Sequence, residues 1–247
     1  MSRRWQQVRH QLRRNRPAQF SLFVLFIFVV AALCAGLSPY DPDRMALGAR
    51  TLPPDAAHWF GTDEYGRDYF TRALYGGQIS LMVGFLAMLF STLIGTVVGT
   101  VSGYFGGWLD NLMMRAVDIL MAIPAFFLLL VVNAYLKPGV DNIILIISLL
   151  TWMNMSRLVR AETLSVKERE YVLYARASGE HPLRIIVRHI IPGVLPTIIV
   201  AATLNIASAI LMESTLSFLG LGVQAPAASW GSMLNNAQSY IGEASWL

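Results

Sequence analysis

The sequence predicts an all-α protein, a polytopic bundle of transmembrane helices. Three observations predict it. Of 247 residues, 55% are hydrophobic and only 14% charged, with a mean hydropathy of +0.52, whereas a soluble domain is nearer a quarter charged. The apolar residues come in long blocks, and about 20 such residues cross a hydrocarbon core of about 30 Å as a helix. The basic residues gather between alternate blocks. This composition excludes a disordered chain and argues against an ordinary cytosolic enzyme. The net charge is +4, and 17 of the 19 basic residues are arginine. In such a chain that charge reads as membrane topology before it reads as nucleic-acid binding. The single cysteine, Cys34, rules out an internal disulfide scaffold.

The elements follow in order. Residues 1–19 form a basic tail carrying Arg3, Arg4, Arg9, Arg13, Arg14 and Arg16. Trp5, Val8 and Leu12 within it have the spacing of a short interfacial helix. The first span is 20–38, uncharged, longer than a usual signal-peptide core and without a clean small-x-small cleavage site, so it is expected to be an uncleaved anchor. The extracytoplasmic loop 39–78 has Pro39, Pro42, Pro53 and Pro54, which exclude a regular helix up to about residue 54. Thr62 or Asp63 is expected to cap a short helix running towards Tyr75, with Arg67 and Asp68 fixing the turn.

The core, 79–247, holds four further spans, roughly Ile79–Gly103, Leu109–Tyr135, Asn142–Arg157 and Thr197–Leu221. Ser91, Gly95, Gly99 and Gly103 recur every fourth residue of the second span, a groove that admits another helix closely. In the third span, Arg115 and Asp118 are spaced to pair at the membrane edge. With the N-terminus cytoplasmic, fourteen basic residues face the cytoplasm: six in the tail, Arg115, and seven in 157–190. Five (Arg44, Arg50, Arg67, Arg72 and Lys137) face outside, and this asymmetry sets the orientation. Five spans place the C-terminus outside. The closing residues Glu243–Leu247 resemble the approach to another apolar segment, so a sixth span is expected beyond them.

The loop at about 158–196 is long for a connection between membrane helices. It reads as helix, break, helix. Glu168–Ser178 favour helix, Gly179 ends it, and Pro182 suits the first turn of the next. Pro192 and Pro196 are expected to break the chain before the fifth span. The second helix interleaves Leu183, Ile185, Ile186, Val187, Ile190 and Ile191 with Arg184, Arg188 and His189. Such a helix suits a groove on a soluble partner or the membrane surface; pattern alone leaves both open. Glu213 lies well inside the fifth span, with Ser217 one turn on and Asn205 two turns before. An intramembrane carboxylate is costly and faces a bundle interior or an aqueous path. Asn205, Glu213 and Ser217 are therefore candidates for a translocation path, or Glu213 for a buried hydrogen bond to a partner's helix. His10, His58, His181 and His189 are scattered, so no built-in metal site is expected.

Six runs in this chain resemble, in the same order, the dipeptide/oligopeptide/nickel permease family of ABC importers. They are Phe60-Gly-Thr-Asp-Glu-Tyr-Gly-Arg-Asp68; Leu74-Tyr-Gly-Gly-Gln-Ile-Ser-Leu81; Gly103-Tyr-Phe-Gly-Gly-Trp-Leu-Asp110; Met114-Arg-Ala-Val-Asp118; Tyr171-Val-Leu-Tyr-Ala-Arg-Ala-Ser-Gly179 with His189-Ile-Ile-Pro192; and Glu213-Ser-Thr-Leu-Ser-Phe-Leu-Gly-Leu-Gly222 with Ser229-Trp-Gly231. The resemblance covers about residue 17 to 247.

It implies a type I importer permease fold, five spans of an expected six, and one half of a heterodimeric pore for di- or oligopeptides. Nickel or another small solute is the near alternative. The implied partners are a paralogous permease, two ATPase subunits that use ATP and Mg, an extracytoplasmic binding protein and membrane lipid, in a bacterial or archaeal cytoplasmic membrane. The loop corresponds to the family's EAA coupling helix, so Ala175, Arg176, Gly179, Arg184, Arg188, His189 and Pro192 are the implied ATPase contact. The EAA triplet itself is replaced by Leu173-Tyr174-Ala175. This chain is expected to bind no cofactor. A phosphate loop needs Gly-Lys-Ser/Thr, and the two lysines precede Pro138 and Glu168. A passive channel would not account for the loop, and an intramembrane enzyme would need paired catalytic groups at one depth.

Overall fold

The computed structural model describes residues 14–135 and 139–247, Phe126 by its backbone alone. The expected interfacial helix around Trp5, Val8 and Leu12 lies outside the described residues. Among the described residues, eight α-helices follow one another. α1 is Arg16–Leu33, α2 Tyr69–Phe105, α3 Gly107–Met121, α4 Ala125–Tyr135 and α5 Val140–Val166. α6 is Glu170–Ala177, α7 Pro182–Phe218 and α8 Trp230–Gln238. Among the described residues, four helical stretches are long and apolar enough to cross a membrane: Arg16–Leu37, Tyr69–Phe105, Val140–Val166 and Pro182–Phe218.

Several boundaries differ from the sequence expectation, each for a physical reason. The third expected span is divided into α3 and α4, because Pro124 has no N–H and crowds the preceding turn. α5 runs on to Val166, so the loop proper begins at Lys167 rather than 158. The helix expected to be capped by Thr62 or Asp63 instead starts at Tyr69 and merges into the second span. Asp68 is its cap: Oδ2 accepts from Thr71 N at 2.7 Å and from Thr71 Oγ1 at 2.6 Å. Pro192 and Pro196 do not break the chain. Residues Ile186–Ile190 form a π turn in which the Ile191 N–H reaches back to Ile186 O. That widened turn takes up the ring of Pro192, which would otherwise meet the carbonyl one α-turn before it, and the helix continues.

The chain divides into two compact units, residues up to Leu81 with Ala225–Leu247, and Met82–Gln224. In the first, α1 is capped by Asn15 and carries no charge beyond its first turn. Phe20, Phe23, Leu25 and Phe26 on it are exposed, as lipid-facing side chains are in a spanning helix. α8 begins with a reciprocal Ser229–Ser232 cap. Trp230 lies over Gly77, where a Cβ would be 3.0 Å from the indole, and its Nε1 donates to Ala73 O at 3.1 Å.

In the second unit α5 and α7 pack along each other. Its core joins Tyr104, Met155, Val159, Val166, Val172, Ile185, Ile190 and Val194. The loop helices α6 and the start of α7 are thus part of the core, not appended to it.

Candidate functional site

The loop helices are built from local signals. α6 has Glu170 in its first turn and Arg176 in its last, both favourable to the helix dipole. Gly179 at φ +77° ends it: the N–H of Gly179 bonds to Arg176 O and that of Glu180 to Ala175 O. A side chain is disfavoured at that φ, which is why glycine is needed here. His181 caps α7 through Nδ1, which accepts from Leu183 N at 3.3 Å, and Pro182 takes the first turn.

Each loop helix has two faces. Val172, Ala175, Ile185, Ile186 and Ile190 are buried in the chain's own core. Tyr174, Leu183 and Val187 are 76, 59 and 64% exposed. Between these apolar groups stand the exposed Arg184 and Arg188, while Arg176 lies over the Tyr104 ring at 5.3 Å. His189 Nε2 meets Glu180 Oε2 at 3.0 Å. Pro192 is exposed at the edge of this surface. An open groove of about 780 Å³ runs between Tyr171, Tyr174, Glu180, Arg188 and His189. The structure therefore gathers Ala175, Arg176, Gly179, Arg184, Arg188, His189 and Pro192 in one segment, but Ala175 is in the floor, and Gly179 acts through the turn.

This surface is fastened to the spans by the small-residue stripe of α2. A Cβ on Gly95 would lie 2.6 Å from Met155 Cβ, one on Gly99 2.6 Å from Ser156 O, and one on Gly103 2.8 Å from Thr163 Cβ. Ser91 above them is fully buried. The stripe is the seam against α5, the helix that leads into the loop. Lys167, at the end of α5, donates Nζ to Gly103 O at 3.0 Å.

Two ion pairs join α3 to the same helix. Arg160 donates Nε to Asp110 Oδ1 at 2.5 Å and Nη2 to Oδ2 at 2.6 Å, a bidentate fork. Asp118 pairs with Arg157, which corrects the expected Arg115–Asp118 pair. The carboxylate is met from across the seam, by Arg157 Nη2 of α5, rather than along its own helix. Neither Asp110 nor Arg160 was singled out from the sequence. The only signal is that Arg157 and Arg160 stand at i,i+3 on α5, while Asp110 and Asp118 stand eight residues apart on the facing helix.

The proposed path residues are not equivalent. Glu213 is fully buried and Asn205 partly exposed. Ser217 Oγ donates to Glu213 Oε1 at 2.6 Å and accepts from Val223 N at 3.0 Å. Gly220 at φ +76° turns the chain between them. Glu213 and Ser217 thus hold the return after α7, and Asn205 stands apart, two turns away. Asn133 of α4 donates to Leu221 O in the same return at 2.8 Å.

In the other unit, Phe60–Asp68 is a buried polar turn. Asp63 accepts from Tyr65 N and Arg67 N at 2.9 Å and from Arg67 Nε at 2.7 Å. Asp68 Oδ1 lies 2.8 Å from His58 Nδ1. Arg72 bonds Pro42 O at 2.9 Å. These side chains are occupied in fixing the loop to the start of α2. Among the described residues no cluster of His, Cys, Asp and Glu is arranged to hold a metal ion.

Residues 95–246 match the family of binding-protein-dependent transport system inner membrane components, and residues 3–54 match the N-terminal transmembrane domain of oligopeptide transport permease C. The chain is 43% identical to the dipeptide transport system permease protein DppC of Bacillus subtilis (strain 168), over 96% of this chain and 74% of that one. It is 37% identical to the oligopeptide transport system permease protein OppC of the same organism, over 94 and 76%. It is 41% identical to OppC of Escherichia coli (strain K12), over 98 and 82%.

Proposed function

Because the chain belongs to the family of binding-protein-dependent transport system inner membrane components, we propose that it is one half of a heterodimeric pore in an ATP-driven peptide importer. As a permease subunit it is not itself an enzyme. The peptide assignment rests on relatives named for dipeptide and oligopeptide transport. A related permease completes the pore. Two ATPase subunits supply ATP and Mg chemistry, and an extracytoplasmic binding protein delivers the substrate. The N-terminus and the α6–α7 loop face the cytoplasm, in keeping with the excess of arginine there.

One observation carries the reading: the loop helices bury one face in the chain's own core and offer the other, Tyr174, Leu183 and Val187 among arginines, to an outside partner. A helix lying on lipid would bury that same outer face in the membrane. Here the inner face is already held by α5 and α7, so a push on the outer face is passed to the spans as a rigid displacement. Transport requires that ATP binding favour one packing of the pore helices over another through differential contacts. A docking surface fused to the base of two spans supplies the lever. Asn205, Glu213 and Ser217 remain the proposed approach to the path, with Glu213 and Ser217 shaping the return after α7 and Asn205 the most open of the three.

The test is affinity purification of the tagged chain from membranes in mild detergent. Recovery of a second permease and an ABC ATPase is expected. Gly179→Asp forces a side chain into φ +77° and is expected to uncouple ATP hydrolysis from uptake while the protein stays in the membrane. Normal uptake by that variant, or the absence of any ATPase, counts against the reading.

A further inference from the structure

We propose that Glu180 and His189 form a positioning pair that fixes the angle between α6 and α7, and so the shape of the surface offered to the ATPase; its functional consequence rests on the docking reading above. The turn between the helices is slender. Gly179 has nothing within 4 Å of where a Cβ would stand, so no steric wedge sets the angle there. The His181 cap is a single bond of 3.3 Å. Glu180 lies just past α6 and is tied to its end, because its N–H closes the helix on Ala175 O at 3.1 Å. His189 belongs to α7, within the π turn. Their side chains meet at 3.0 Å, with Glu180 and His189 only 17 and 26% exposed. That degree of burial places the pair above the weak, fully solvated kind.

The π turn makes this contact part of the backbone design. Buried residues on α7 run Ile186, Ile190, Val194 and Ile198, with Ile185 buried as well. The extra residue in the turn keeps that stripe in the core while His189 faces Glu180 across the groove. Tyr171 of α6 borders the imidazole, ring centroids 6.3 Å apart, and Arg188 lines the same groove. The pair thus closes the open side of a wedge whose inner side is apolar.

Two readouts test it. In a Cys34→Ser chain, spin labels are placed at Tyr174→Cys and Val187→Cys, both exposed, and their separation is measured by pulsed EPR. A narrow distribution is expected. Glu180→Ala and His189→Ala should each broaden it, and the exchange Glu180→His with His189→Glu should narrow it again. In the complete transporter in proteoliposomes, Glu180→Ala should lower uptake per ATP several-fold with the ATPase still bound, and the exchange should recover it. The milder Glu180→Gln keeps the side-chain size and guards against simple misfolding. An unchanged distribution in the single variants, or no recovery on exchange, overturns the pair. Absence of a bound ATPase in the wild type would instead overturn the docking reading, and the EPR result would still decide the pair.

Discussion

At the scale of single residues, the most constrained positions are those where backbone meets backbone. Gly99 is the sharpest case, since a Cβ there would fall 2.6 Å from Ser156 O and 2.9 Å from Arg160 N. Backbone atoms of a packed helix cannot swing aside as a flexible side chain can. Gly99→Ala is therefore expected to push α5 away and to cost about 1–3 kcal/mol of overpacking, read as a lower unfolding temperature of the detergent-purified protein. Gly48 has open space around its Cβ position and no positive φ, so Gly48→Ala is the matched control and should change little. Equal effects of the two would show that the seam is looser than its geometry. The same scale explains why Asp68 rather than Asp63 caps α2. Both are acidic and stand two residues after a glycine (Gly61 and Gly66), but Asp63 spends both oxygens on the turn and on Arg67.

At the scale of elements, α3 is held to α5 by two ion pairs of unequal weight. Asp118 and Arg157 are each nearly half exposed, and such pairs contribute about 0–1 kcal/mol. Asp110 is 10% exposed and receives the bidentate fork of Arg160. Arg160→Met should strip that carboxylate of the guanidinium's two bonds and cost about 1–3 kcal/mol, whereas Asp118→Asn should cost little. Replacing both partners, Asp110→Leu with Arg160→Met, should recover part of the loss, because it is the stranded charge that destabilises. A double-mutant cycle on thermal unfolding decides it, and additive losses would mean the pair does not couple the helices. Much of the element layout was legible in the sequence: the apolar blocks, Gly179 as the stop of α6, and Pro182 as the start of α7 are local signals. The ion pairs were not, because Asp110 and Arg160 are fifty positions apart and only the seam brings them together. The π turn was hidden too. Two prolines signal a break locally, and only the buried stripe through Ile190 and Val194 shows that the core holds the helix together across them.

At the scale of the whole molecule, the question is which ends of the spans meet the cytoplasm. The count of basic residues gives the argument, since fourteen against five is a large asymmetry. The proposed docking role of the α6–α7 surface asks for the same orientation, for a docking face for an ATPase works only where ATP is available. Both make the same prediction about labelling. In a Cys34→Ser chain, a thiol introduced by Ala56→Cys in the long loop before α2 should react with a membrane-impermeant maleimide in intact spheroplasts. A thiol introduced by Ser178→Cys, exposed beside Gly179, should react only after permeabilisation. The reverse pattern would place the docking face outside, where no nucleotide-driven partner could use it, and would remove the mechanical reading of the loop together with the orientation. Labelling of both sites in intact cells would break the topology itself, since it would require an odd number of the crossings between the two sites to be lost. The expected pattern leaves the loop on the nucleotide side, with the glycine seam of α2 and the Asp110–Arg160 fork as the rigid links from it to the spans.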